Sequence, residues 1–216
     1  MTITTQHLVA MFVAIADAIE EHKDHLSELD GVIGDADHGV TMGIGFTAVR
    51  EALGQLDTAE NEPAVVFNTA AKTFLNAVGA SSGPLYATAF MRAGAAAKGK
   101  PELDRDAMVE AFCAMAKGIQ DRGKAERGDK TMVDAWLPAA EAIGEAAERG
   151  DDLAACFQAA ARAAEEGAEA TKAMRASKGR AARLGDHLEV TEGELHGPER
   201  LVFADRKART AETAHD

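Results

Sequence analysis

Aromatic side chains are scarce in this chain. One tryptophan, one tyrosine and eight phenylalanines make up 5% of its 216 residues, although hydrophobic residues together reach 46%. A sizeable core can form, but alanine and aliphatic groups must fill most of it. That suits closely packed helices and argues against a β-sandwich. Cysteine is nearly absent too. Cys113 and Cys156 lie far apart without metal-ligand spacing, and they read as buried free thiols of a reducing cytosol. Long apolar runs are missing. The stretch from Leu8 to Ile19 is interrupted by Asp17 and is too short to span a bilayer, and no secretory leader is visible. A cytoplasmic location is the expectation.

Positive charge is in deficit. Lys and Arg number 23 against 36 Asp and Glu, a net charge of −13. Such a field repels phosphate backbones and anionic lipid, so neither nucleic acid nor membrane is expected as a partner. A nucleotide could still bind if its phosphates were neutralised locally, by metal ions or by helix N-termini.

What is present is helical periodicity. Leu8, Phe12, Ile15, Ile19, His22 and Leu26 share one helical face. A stretch rich in glycine and aspartate, from Leu29 to Gly45, follows before helix resumes through Phe46, Val49 and Leu53. Further helices are predicted from about Glu62 to Val78, from Pro84 to about Ala97 and from Asp104 or Asp106 past Ile119. Two more are marked by Val133, Trp136, Leu137, Ala140 and Ile143, and by the alanine-rich run from Asp151 and Asp152 to near Met174. Pro84 fits a first helical position, with Ser82 or Gly83 capping. Gly123 to Lys130 reads as a charged loop. Seven helices, no strand and short connections predict an all-α fold in one domain. From Asp186 to Asp216 charges crowd a stretch with few apolar residues, and it reads as an irregular or mobile tail.

The strongest chemical signal is Asp30-Gly31-Val32-Ile33-Gly34-Asp35-Ala36-Asp37-His38-Gly39. Three short carboxylates in a glycine-bearing segment suit a hard cation such as Mg²⁺, which also keeps room for water and phosphate. A calcium loop is excluded. The twelfth residue counted from Asp35 is Phe46 and from Asp30 is Thr41, where a bidentate glutamate is needed. Gly79-Ala80-Ser81-Ser82-Gly83-Pro84 offers small residues and amides at a helix start, and in isolation reads as an ordinary cap. Arg122 to Thr131 nearly spells a Walker A loop, but Asp129 is inserted before Lys130-Thr131 and no strand precedes it, so a P-loop fold is rejected. That basic loop faces phosphate or is a solvated turn. Ser177-Lys178-Gly179-Arg180-Ala181-Ala182-Arg183 either complements a helix dipole or clamps phosphate. All four segments sit at helix ends, where one end of a bundle could gather them for phosphoryl transfer by positioning and charge neutralisation.

Together these motifs resemble the nucleotide-binding L subunit of dihydroxyacetone kinase, the DhaL family. The resemblance rests on Leu29-Asp30, Ile33 to Gly39, Gly83-Pro84-Leu85, Arg122 to Glu126, Gly128 to Met132 and Lys178 to Ala181, in order over roughly residues 5–185. It implies an antiparallel barrel of eight helices with the nucleotide at one end. Asp30, Asp35 and Asp37 would hold two Mg²⁺ ions bridging the phosphates of ADP or ATP. His38, Gly39, Val40, Thr41, Ser81 and Ser82 would line the nucleotide. Gly123 and Met132 would sit near base or sugar, and Arg180 near the phosphates. The partner implied is a separate K subunit that holds dihydroxyacetone, with a phosphotransferase-system phosphocarrier as a possible phosphate source. Assembly would be a homodimer or a hetero-complex. Where the family has an Asp-Pro-Gly-Ala motif and a last apolar helix, this chain reads Glu192-Gly193-Glu194-Leu195-His196-Gly197-Pro198. That departure implies a domain of residues 1–185 followed by a divergent tail, 186–216, which lies across the gap as a strap or leaves it to a second copy. A non-catalytic regulator and a kinase subunit for another small sugar are the competing functions.

Overall fold

The computed structural model describes residues 2–178 apart from Ile33 and Ala80, together with Ala182. Eight α-helices follow one another: α1 (Thr5–Glu21), α2 (Lys23–Gly31), α3 (His38–Leu53), α4 (Pro63–Ala77), α5 (Ser82–Ala96), α6 (Arg105–Gly123), α7 (Val133–Glu148) and α8 (Leu153–Ala170). A single 3₁₀ turn, Thr171–Ala173, continues α8. Among the described residues there is no strand, only an isolated antiparallel bridge between Ile3 and Leu103. From α2 onward each helix packs chiefly on a neighbour in sequence, while α1 packs chiefly on α3, and short connections make the set an antiparallel all-α bundle.

The starts of these helices are written in the sequence. Asp104 and Asp152 accept the Ala107 and Ala155 N–H groups, each at 2.8 Å, as N-caps of α6 and α8. Thr4 and His7 form a reciprocal capping box on α1, and Pro63 opens α4, where its missing N–H costs nothing. Each such cap is worth about 1 kcal/mol.

Three elements differ from the sequence expectation. The single helix read through Leu8 to Leu26 is broken at His22, where φ is −109° and ψ is 8°. The His22 ring Nδ1 lies 2.9 Å from the Ala18 carbonyl, which the residue's own N–H also approaches at 3.3 Å. This competition for one acceptor weakens the helical ladder and ends α1 there. Helix also covers most of the segment thought too rich in glycine for it. Asp30 and Gly31 are the last residues of α2, and α3 begins at His38 rather than near Phe46. Gly39 is helical because α2 and α3 touch at this point, where a Cβ would collide with the Lys23 carbonyl. The third difference is at α5, which starts at Ser82, so Pro84 is its third residue.

The aromatics among the described residues gather in two places. Phe12, Phe46, Phe67, Phe74, Tyr86 and Phe90 form edge-on or tilted pairs, with centroids 5.1 to 6.3 Å apart, between α1, α3, α4 and α5. Phe112, Trp136 and Phe157 join α6, α7 and α8. Elsewhere alanine sets the helix separation. Pro138 inside α7 cannot bond the Asp134 carbonyl one turn back. That carbonyl instead faces Gly167 of α8, where a Cβ would strike it. The tail, residues 186–216, and its expected strap lie outside the described residues.

Candidate functional site

The end of α2 and the start of α3 are joined by a short turn that folds the chain back on Asp30. Asp30 is buried, and its Oδ2 accepts the Asp37 N–H at 3.1 Å. Its backbone carbonyl accepts the Gly34 N–H at 2.5 Å. Ala36 takes a left-handed φ of 59°, a conformation that costs an L-residue roughly 1–2 kcal/mol. This reversal puts Asp35 and Asp37, both exposed, beside Asp30. One carboxylate oxygen from each lies within 4.8 Å of the others. The sequence placed these three residues together, and the geometry brings their side chains together as well.

Three like charges this close repel one another, and a divalent cation removes the repulsion. The donor set fits Mg²⁺ or Mn²⁺. It is all hard oxygen, it is open on one side for water and phosphate, and it has too few protein ligands for calcium. Adjacent ligands on a magnesium octahedron stand about 3 Å apart and opposite ones about 4 Å apart. A set spread over 4.8 Å can therefore close on one ion or straddle two.

Around this cluster the other candidate residues fall as follows. His38 and Thr41 are half-buried in the first turn of α3, Val40 is exposed, and Gly39 is buried against α2. The Thr41 N–H bonds the Asp37 carbonyl at 2.8 Å, closing the first turn of α3. Ser81 precedes α5 and is exposed, and Ser82 is half-buried; the Ser81 side chain makes no capping bond. Val78, which leads into that turn, packs on Gly45 of α3. Gly45 is seven residues past His38, about 10 Å along the helix axis. Gly123 ends α6 with its Cα beside Leu85 in the first turn of α5, so the start of α5 and the end of α6 are neighbours. Met132 is half-buried immediately before α7 and packs on the core. Arg180 lies outside the described residues.

The two basic segments also meet. The loop from Lys124 to Met132 contains three left-handed residues, Lys124 (φ 51°), Gly128 (φ 89°) and Lys130 (φ 57°). Ser177 donates its N–H to the Asp129 carbonyl at 3.2 Å and its hydroxyl to the Asp129 carboxylate. Lys178 reaches the Lys124 carbonyl at 2.5 Å. The Ser177 hydroxyl, then the Glu126 N–H, hold the Asp129 carboxyl below the usual carboxylate range.

Sequence reasoning passed over Asp134 and gave Lys130 no structural role of its own. Asp134 is buried in the first turn of α7 and accepts the Gly128 and Thr131 N–H groups at 2.6 and 2.9 Å. Lys130 is only 3% exposed and bonds the Met174 carbonyl at 3.3 Å. The first was legible, since Thr131-x-x-Asp134 ahead of an apolar run is a capping-box pattern. The second had no local signal. A groove lined by Ala48, Thr69, Lys72, Thr73, Asn76 and Ala77 shares no residue with the carboxylate cluster.

Fold and site together define an all-α domain with a cluster of three carboxylates at a helix junction. The DAK2 domain model matches residues 32–190, and the chain belongs to that family. It is 36% identical over 186 residues to the Escherichia coli (strain K12) protein named PEP-dependent dihydroxyacetone kinase, ADP-binding subunit DhaL, covering 86% of this chain and 88% of that one. A Listeria innocua protein, named as the same subunit of a second such kinase, is 40% identical over 168 residues, covering 78% and 77% of the two chains. Likeness extends to the L-erythrulose 1-kinase of Mycolicibacterium smegmatis, 31% identical over 84% of this chain but only 31% of that one. Among solved structures, the C. freundii dihydroxyacetone kinase in complex with AMP-PNP and Mg²⁺ superposes with a TM-score of 0.69 at 24% identity. That match covers 93% of this chain and 34% of the other, and it supports the fold.

Proposed function

We propose that this chain is the phosphoryl-donor subunit of a dihydroxyacetone or related short-ketose kinase. It binds ADP or ATP with Mg²⁺ and passes phosphate to a substrate held on a separate K-type subunit. The observation that carries this reading is the convergence of Asp30, Asp35 and Asp37 within 4.8 Å at the junction of α2 and α3. In a chain of net charge −13, a nucleotide's phosphates need such a cation site. Two ions are proposed, and they would neutralise the phosphates and polarise the transferred group.

The residues of this chain hold and orient. Asp30 fixes the turn through the Asp37 N–H and supplies one buried oxygen, while Asp35 and Asp37 supply the exposed ones. His38, Gly39 and Val40 present first-turn amides of α3 to phosphate, and Thr41, whose amide closes the helical turn, offers its hydroxyl. Ser81 and Ser82 do the same at α5, where no side chain was seen to cap the helix. Gly123 and Met132 border the base or sugar, and Arg180 reaches the phosphates. No group among these activates a sugar hydroxyl, so the acceptor and its base belong to the partner subunit. The relatives named as PEP-dependent and PTS-dependent kinase subunits favour a phosphocarrier over free ATP as the phosphate source. The similarity to erythrulose kinases favours a second reading in which the acceptor is a four-carbon ketose. Among the described residues no helix is long and apolar enough to cross a membrane.

Reconstitution tests the proposal. The isolated chain with Mg-ATP should not phosphorylate dihydroxyacetone or erythrulose, and addition of a K-type subunit together with a phosphorylated phosphocarrier, or with Mg-ATP as the alternative phosphate source, should give turnover with one of them. Robust turnover by the isolated chain would refute the two-subunit assignment. Mg-ADP binding without turnover alongside any K-type partner would point to the regulatory alternative.

A further inference from the structure

The loop between α6 and α7 spans the gap between Gly123 and Met132, two residues read above as nucleotide contacts. It is an unfavourable loop on its own. Three left-handed residues fall within seven positions, and two of them, Lys124 and Lys130, carry side chains. A backbone of this kind persists only where its surroundings over-determine it. The structure shows two sets of supports. The inner set is local: Asp134 takes the Gly128 and Thr131 amides, and Asp129 Oδ2 takes the Glu126 N–H at 2.8 Å. The outer set comes from a segment some fifty residues away. Met174 accepts from the Lys130 ammonium at 3.3 Å, Ser177 bonds Asp129 through both its N–H and its hydroxyl, and Lys178 bonds the Lys124 carbonyl.

We infer that residues 174–178 and the α6–α7 loop form a clasp, latched by Ser177 on Asp129, which sets the spacing of Gly123 and Met132 for the nucleotide. Ser177, Asp129 and Lys130 are positioning residues. The inference rests on the nucleotide-binding reading above. Three features single out a device rather than ordinary packing. Lys130 is buried and its side-chain nitrogen donates to the Met174 carbonyl, so losing that contact would leave a buried polar group without this partner. The acceptor, Met174, ends the 3₁₀ turn after α8, where a cation also complements the helix dipole. The outer bonds named above all attach to the loop itself. Releasing the latch should therefore loosen the loop while the bundle stands.

Ser177→Ala removes one hydroxyl at an exposed position, and Ser177→Thr keeps it. Mg-ADP affinity should fall about tenfold in the first, the loss of one charge-assisted hydrogen bond, and stay within about threefold of the parent chain in the second. Affinity for Mn²⁺ alone should not move in either, and the thermal midpoint of the nucleotide-free protein should fall only slightly in the first and stay in the second. Amide exchange at Glu126, Gly128 and Asp129 should quicken in Ser177→Ala without nucleotide. Unchanged exchange would refute the clasp. Quickened exchange with parental Mg-ADP affinity would refute its positioning role, as would an equal loss in Ser177→Thr. A parent chain that binds no Mg-ADP would overturn the nucleotide reading instead, and the exchange result would still decide whether the clasp exists.

Discussion

The acidic turn after α2 and the basic loop after α6 both force non-glycine residues into left-handed backbone, Ala36 in one and Lys124 and Lys130 in the other. Both hold it with carboxylate-to-amide bonds, but they place their charges differently. The basic loop pairs unlike groups: cations meet carbonyls, and the Asp129 and Asp134 carboxylates meet N–H groups and a hydroxyl. The acidic turn gathers like groups, three carboxylates within 4.8 Å. A loop made of satisfied pairs is finished by the protein itself. A loop made of converging like charges is suited to receive a cation. The first arrangement suits a ruler for a ligand, and the second suits a switch that a metal closes.

Several substitutions would sharpen or break this contrast. The largest effect is expected from Asp35→Asn and Asp37→Asn. Each should lower Mg-ADP affinity by more than about a hundredfold, since even groups behind a metal ligand are worth 10–100-fold, while apo stability holds or rises as repulsion falls. Asp30→Asn should lose binding similarly and also destabilise the apo fold by about 1 kcal/mol, because Asp30 is buried and bonds the Asp37 amide. Equal apo destabilisation in all three would mean that the carboxylates are structural. Gly39→Ala comes next. Its Cβ would meet the Lys23 carbonyl, and prising α3 off α2 should cost about 1–3 kcal/mol by chemical denaturation, with metal affinity reduced because the helices that carry Asp30 and Asp37 part.

Smaller effects separate the two loops directly. Lys124→Gly and Ala36→Gly both relieve left-handed strain, and each should stabilise the apo protein by about 0.5–1 kcal/mol. Lys178 bonds the backbone carbonyl of residue 124, so the first should leave Mg-ADP affinity unchanged. The second should weaken Mn²⁺ binding, because it frees the turn that converges the carboxylates. The slightest effect is on pH. The Asp129 carboxyl sits below its ordinary range, chiefly through the Ser177 hydroxyl. The stability it contributes is present above the unfolded aspartate range and is lost as pH falls through its folded value. Ser177→Ala should flatten that acid limb in thermal melts, and an unaltered limb would remove Ser177 as its cause.

Most of the bundle was legible because caps and periodicity are local. Asp104, Asp152 and Pro63 announce their helices, and Val66, Phe74, Phe112 and Trp136 turn inward as their spacing requires. The break at His22 was not legible, since it depends on which acceptor a ring nitrogen takes. The helical state of Asp30 and of Gly39 was hidden for a different reason. Glycine reads as a breaker until the partner helix that needs its small size is known. In the site, the aspartate trio was visible from spacing and chemistry. The meeting of Asp129 with Ser177 and of Lys130 with Met174 was not, because some fifty residues of intervening helix must pack before those groups touch.

The central claim is that the three carboxylates bind nucleotide through metal, and calorimetry of the purified chain tests it most directly. ADP titrated with excess Mg²⁺ or Mn²⁺ should bind, and the same titration in EDTA should show no measurable heat beyond dilution. Equal affinity in both would contradict the account, because the phosphates would then be held without the Asp30, Asp35 and Asp37 cluster.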